Sequence, residues 1–147
     1  MSIAVRTATT TWTGPLATGT GTLSDTDSGV LDGQQVTWAA RSQAPGGKTS
    51  PEELIAAAHA SCFSMALSAA LAENGTPPQR LQVSAVVTLD EVDGNPTITS
   101  SALTLQGQVA GIDSDAFTAL VQAAAAGCPV SRLYAGAAIS VDAALVG

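Results

Sequence analysis

Two cysteines and a single histidine are the obvious nucleophiles and ligands in this 147-residue chain: Cys62, Cys128 and His59. A thiolate is both a strong nucleophile and a soft metal ligand, so three readings stand open: a metal site, small buried hydrophobes, or a redox pair. The spacing argues against metal, because neither cysteine has a close partner of the C-x-x-C kind and an Asp or Glu would have to complete the ligand set. Cys62 lies in an apolar run, where a free cysteine is commonly just packing. Cys128 precedes Pro129, and proline favours a first helical turn. That places Cys128 at a helix N-cap, where unpaired N–H groups and the positive dipole end lower a thiol pKa. His59 stands three residues before Cys62 and shares its helical face, as a hydrolase or acyl-transfer pair would. No orienting third group is evident, so the plainer expectation is a histidine held by a core or interface hydrogen bond. Arg41 and Glu52 flank a loop, and a surface salt bridge is their default reading.

The elements that must position these residues read as follows. Ile3 to Trp12 and Leu16 to Leu23 are Thr/Val-rich and form a hairpin or meander turning near Gly14-Pro15. Asp25 to Gly29 and Asp32-Gly33 are loops, and Gln35 to Arg41 reads as a third strand ending in Arg41. Ser50-Pro51-Glu52-Glu53 combines an N-cap, a proline at N1 and a glutamate at N3, which is a capping box. A helix should start there and run to about Ala72, stopped by Asn74-Gly75 and Pro77-Pro78. Its interior is apolar on all sides and belongs in the middle of a protein. Its small residues Ala56, Ala57, Ala60, Ser61 and Ser64 suit tight core packing or a dimer seam. Leu81 to Leu89 and Thr97 to Val109 alternate around Asp93-Gly94-Asn95-Pro96 as a second hairpin. Asp113 or Ser114 caps a second helix through Ala126, Val130 to Tyr134 is a short helix behind Cys128, and Ala137 to Leu145 is a closing strand. The result is an α+β fold with mainly antiparallel sheets around a long apolar helix.

Length and a 46% hydrophobic composition fit one domain over residues 1–147. A net charge of -7 with five basic residues argues against nucleic acid and other anionic partners, which need a clustered Lys/Arg footprint. Met1 to Thr10 lacks the basic start and apolar run of a signal peptide, and no segment is expected to approach the roughly 20 apolar residues of a bilayer span. The expectation is a cytoplasmic protein with no membrane partner. A reducing compartment makes a transient thiol pair a better reading than a permanent disulfide.

Thr49-Ser50-Pro51-Glu52-Glu53-Leu54-Ile55-Ala56-Ala57-Ala58-His59-Ala60-Ser61-Cys62-Phe63-Ser64-Met65-Ala66 resembles the cysteine helix of the OsmC/Ohr family, the osmotically inducible and organic hydroperoxide resistance proteins. Gly127-Cys128-Pro129-Val130-Ser131 resembles that family's resolving-cysteine turn. His59 and the position of Arg41 are closer to the OsmC branch. Ser50 stands where relatives often carry Asn, a swap that keeps the cap; the loop from Ser42 to Lys48 departs from the pattern. The resemblance implies a thiol peroxidase reducing organic hydroperoxides: Cys62 is the peroxidatic thiolate, Cys128 resolves its sulfenic acid, and Arg41 with Glu52 forms an activating ion pair. It also implies an intertwined homodimer with active sites at the interface, no bound cofactor, and an external dithiol reductant, a dihydrolipoyl carrier. Glu52 and Cys62 are ten residues apart, about 15 Å along a straight helix. They cannot share a site within one such helix, so Glu52 is expected to serve Cys62 of a second subunit. Trp38, Phe63, Met65, Phe117 and Tyr134 would line an apolar pocket for alkyl hydroperoxides or simply form core. Two other classes compete: a redox-sensing or ligand-binding module using the same thiols without turnover, and a Cys62/His59 hydrolase.

Overall fold

The computed structural model describes residues 1–147 and divides into two compact units, Met1–Leu54 and Ile55–Gly147. In the first, β1 (Thr9–Thr13), β2 (Thr20–Ser24) and β3 (Gln35–Val36) form an antiparallel sheet in that order, with Thr9 opposite Ser24 and Thr13 opposite Thr20. Gly14, at φ 91°, opens the turn between the first two strands. Gly21 has no room for a side chain, since a Cβ there would lie 2.7 Å from Val36 Cγ2. The short third strand expected over Gln35 to Arg41 ends already after Val36. Thr37 is extended and its hydroxyl accepts the Ala40 N–H at 3.1 Å, which starts a short helix, α1 (Trp38–Ser42). Arg41 therefore sits in the last turn of a helix, where a cation suits the negative dipole end, and not at the end of a strand.

The helix α2 spans Pro51–Glu73 as one element. Ser50 Oγ accepts the Glu53 N–H at 3.2 Å, but the Glu53 carboxylate takes the Thr49 hydroxyl at 2.8 Å, so only half of the capping box forms. The far end closes as a Schellman motif: Thr76 N–H reaches Leu71 O and Gly75 N–H reaches Ala72 O, with Gly75 at φ 80°.

In the second unit, β4 (Arg80–Val92) and β5 (Asn95–Gln108) make a long antiparallel hairpin. Its tip is the two-residue turn Asp93-Gly94, both at positive φ as a type I′ turn demands. The helices α3 (Ser114–Gly127) and α4 (Pro129–Leu133) cross over to β6 (Ala138–Leu145). That crossover lets β6 pair parallel to β5, so the mainly antiparallel expectation holds with one parallel pair added. Asp113 caps α3 by accepting the Ala116 N–H at 2.8 Å.

The core of this unit gathers Phe63, Leu67 and Leu71 of α2, Leu103 and Leu105 of β5, and Phe117, Val121 and Ala124 of α3. Each fully buried Leu or Phe contributes about 1.5–3 kcal/mol. Gly107 is required here, because a Cβ would stand 2.7 Å from Phe117 Cζ. On α2 the buried residues His59, Phe63, Leu67 and Leu71 recur every four positions, one stripe. The rest of this apolar helix is not enclosed within the chain, and Met65 is 72% exposed. By length and composition α2 is also apolar enough to cross a membrane, which corrects the expectation that no segment approaches a span.

Candidate functional site

Both cysteines belong to the second unit. Cys62 is half-buried, one residue before core Phe63, and packs against the core. Cys128 is fully buried where two helices meet. Its N–H donates to Ala124 O at 2.8 Å and closes α3, while its carbonyl accepts the Arg132 N–H at 3.0 Å and opens α4, with Pro129 next in line. Both thiols are free. They pack at the same core, and each bears on the other's ionisation. Burial pushes Cys62 up, and the hydrogen bond and negative charge of Cys128 push it further, against the opposing pull of the Val130 N–H. Burial also pushes Cys128 up, but the Ser131 N–H and hydroxyl, the Cys62 thiol and the Val130 N–H outweigh it and bring that thiol below the ordinary range. The Cys128 side chain makes no capping hydrogen bond at the start of α4. Within this unit, then, the helix N-terminus favours the thiolate at Cys128, as its place before Pro129 implies, and the unit's own groups do not favour one at Cys62.

His59 is fully buried and does not pair with Cys62. Its Nδ1 bonds Ser101 Oγ at 2.6 Å and its Nε2 bonds Ser131 Oγ at 2.8 Å. The Tyr134 ring meets it edge-on at 5.4 Å. Burial lowers its pKa and keeps it neutral. It is the core-held histidine, and the hydrolase dyad is absent from the geometry.

Arg41 and Glu52 belong to the first unit and form a salt bridge there. Arg41 Nε and Nη2 both reach Glu52 Oε1, at 2.9 and 2.7 Å, with the side chains 29% and 12% exposed. This is a half-buried, oriented pair, not the loose surface bridge expected by default. Glu52 Oε2 is buried without a partner. A cavity of about 200 Å³ opens beside the pair, lined by Trp12, Leu16, Val36, Thr37, Trp38, Arg41 and Pro51.

Of the expected pocket residues, Trp38 lines that cavity. Phe63 and Phe117 are core, 0% and 2% exposed, and Tyr134 packs on His59. Sequence reasoning missed Trp12, Leu16, Ser101 and Ser131 as site residues. Ser131 was within reach, since it occupies N3 behind the N-cap Cys128, the position whose N–H faces the cap side chain.

Two free thiols packed at one core, one on a long helix and one at a helix junction, mark the candidate site of this α+β protein. The sequence profile of the OsmC-like proteins matches residues 44–143. The chain is 48% identical over 122 residues to Peroxiredoxin OsmC of Escherichia coli K12, covering 83% of this chain and 84% of that protein. The crystal structure of the organic hydroperoxide resistance protein OhrB of Bacillus subtilis superposes with a TM-score of 0.68 at 30% identity, over 95% of this chain and 98% of that one. An OsmC structure from Legionella pneumophila shares the fold over the full length of both chains, with a TM-score of 0.73 at 21% identity. The chain belongs to the OsmC-like family.

Proposed function

We propose that this chain reduces organic hydroperoxides through a cycle of Cys62 sulfenic acid and a Cys62–Cys128 disulfide. The chain is a cysteine-based peroxidase, as its relative of 48% identity, named a peroxiredoxin, supports. The observation that carries the finer reading is that two free thiols pack at one core inside one chain. The Cys62 thiolate attacks the distal peroxide oxygen; an S–O bond forms, the O–O bond breaks, and the alkoxide leaves to become an alcohol on protonation. The Cys128 thiolate then attacks the Cys62 sulfur, forming the disulfide and expelling hydroxide, which protonates to water. A dithiol reductant, a dihydrolipoyl carrier in this reading, returns both thiols, and the cytoplasm is the compartment that would keep it reduced.

Arg41 supplies the charge that favours the Cys62 thiolate and a donor to the peroxide, and Glu52 fixes the guanidinium plane. The cavity lined by Trp12, Leu16 and Trp38 receives the alkyl group. The continuous α2 puts about 15 Å of helical rise between Glu52 and Cys62. Each pair therefore serves the other chain's cysteine in a homodimer, whose seam uses the uncovered face of α2. Peroxide consumption by wild type, Cys62→Ser and Cys128→Ser with several reductants tests the cycle. Loss should be complete for Cys62→Ser, and Cys128→Ser should stop after one equivalent with a dithiol that cannot reach the sulfenic acid. Sustained turnover by Cys62→Ser would overturn the reading.

A further inference from the structure

A continuous buried row runs from β5 to the thiol pair. Ser101 Oγ contacts His59 Nδ1 at 2.6 Å, His59 Nε2 contacts Ser131 Oγ at 2.8 Å, and Ser131 stands at N3 of the helix whose N-cap is Cys128, where its hydroxyl and N–H lower that thiol's pKa. Ser101, His59, Ser131 and Cys128 are 1%, 0%, 7% and 0% exposed, so water cannot readily substitute for any link. The peroxidase cycle as described above leaves His59 and Ser131 without a role.

We propose that Ser131, oriented by His59, is a positioning residue for the second half of the cycle: its hydroxyl donates to the Cys128 sulfur and aims it at oxidised Cys62. This rests on the peroxidase reading. A hydroxyl has one proton to give, and Ser131 can spend it on His59 or on Cys128, not both. With the Nε2–H tautomer, His59 donates to Ser131 Oγ, Ser101 donates to Nδ1, and the Ser131 proton is left for the sulfur. Every donor and acceptor in the row is then used once. With the other tautomer, Ser131 donates to Nε2 and Cys128 loses its hydroxyl donor. A neutral imidazole is what makes this choice of direction available, and burial keeps His59 neutral. The titratable groups facing the Cys128 end are Cys62 from α2, His59 through Ser131, and Tyr134, whose own pKa is raised by burial and by the charge on Cys128.

The chemistry served is the attack of the Cys128 thiolate on the Cys62 sulfur, where an S–S bond replaces S–O and hydroxide leaves. The Ser131 donor keeps Cys128 ionised until that moment and defines the direction of its lone pair. Loss of a hydrogen-bond donor to this charged acceptor should raise the Cys128 pKa by about one unit and so leave less thiolate for the attack.

Two measurements separate this from the reading it rests on. In a Cys62→Ser background, with no peroxide present, the thiolate absorbance of Cys128 is titrated with and without Ser131→Ala. The alanine variant should titrate about one unit higher, and Ser131→Thr, which keeps the hydroxyl, should restore the parent curve. With both cysteines present, a single turnover with cumene hydroperoxide is quenched with dimedone. Ser131→Ala should lengthen the life of the Cys62 sulfenic acid about tenfold, and threonine should again rescue it. His59→Asn tests the same row from its other end and should move both readouts in the same direction if the alanine variant does not fold. A folded Ser131→Ala protein with an unchanged titration and an unchanged rate of disulfide formation overturns the proposal. A wild type that forms no sulfenic acid sinks the peroxidase reading instead, and the peroxide-free titration still decides what Ser131 does.

Discussion

Replacing Glu52 by glutamine keeps the shape of the Arg41 clamp and removes its charge. Both guanidinium contacts end on one oxygen, Oε1, at 2.9 and 2.7 Å, so the amide oxygen of glutamine can occupy that place. The amide nitrogen must then take the position of Oε2, which is buried and has no partner, and its two N–H groups go unpaired. A charge-assisted hydrogen bond carries about 1.5–3 kcal/mol, but Arg41 is 29% exposed and solvent screening takes a share, leaving about 1 kcal/mol as the net loss. That corresponds to about fivefold less of the oriented guanidinium. If Arg41 activates Cys62, kcat/KM for cumene hydroperoxide with excess dithiol should fall about fivefold in Glu52→Gln, with thermal stability lowered by only about 1 kcal/mol. Arg41→Met, which removes the charge itself, should lose far more. Mixing Glu52→Gln/Arg41→Met chains with Cys62→Ser chains should recover part of the activity, because one of the two sites in a mixed dimer would be intact. Full activity in Glu52→Gln and Arg41→Met would refute the activation argument; inactive mixtures of folded, exchanged dimers would refute the assignment of Glu52 to the partner's cysteine.

Gly107→Ala puts a Cβ against Phe117 Cζ at 2.7 Å in a filled core, so denaturant unfolding should show a loss of about 1–3 kcal/mol. His59 gives a pH signature: its folded pKa is lowered by burial, so its contribution is fully present above about 6.5 and is lost as pH falls from there toward the folded value. Wild-type stability should therefore decline more steeply below about pH 6.5 than that of His59→Asn, measured by denaturant midpoints across that range; parallel curves would refute it.

The sequence signals that succeeded were local and redundant. Ser50-Pro51 and Asn74-Gly75 bracket α2 because a cap hydroxyl and a positive-φ glycine each solve a problem the helix end creates by itself. Asp93-Gly94 does the same for the long hairpin. Arg41 was misplaced on a strand because Val36-Thr37-Trp38 are good β-formers, and only the Thr37 hydroxyl, reaching the Ala40 N–H, turns the chain into a helix. The partners of His59 were not legible, since Ser101 and Ser131 lie 42 and 72 residues away along the chain and no local pattern encodes such contacts. Nor could composition tell that the apolar α2 encloses only one stripe within its own chain, because a face meant for another surface and a face meant for the core use the same residues.

The two thiols also divide the problem of reactivity in a way that neither sequence nor fold alone reveals. Every group in the second unit that acts on Cys62, apart from the Val130 N–H, raises its pKa, whereas the same surroundings lower that of Cys128. On the proposed mechanism the attacking sulfur must be ionised by something the second unit lacks, and a guanidinium held by Glu52 meets that need. On that proposal the arrangement would couple activation to assembly, since the charge that Cys62 needs would arrive with a second chain.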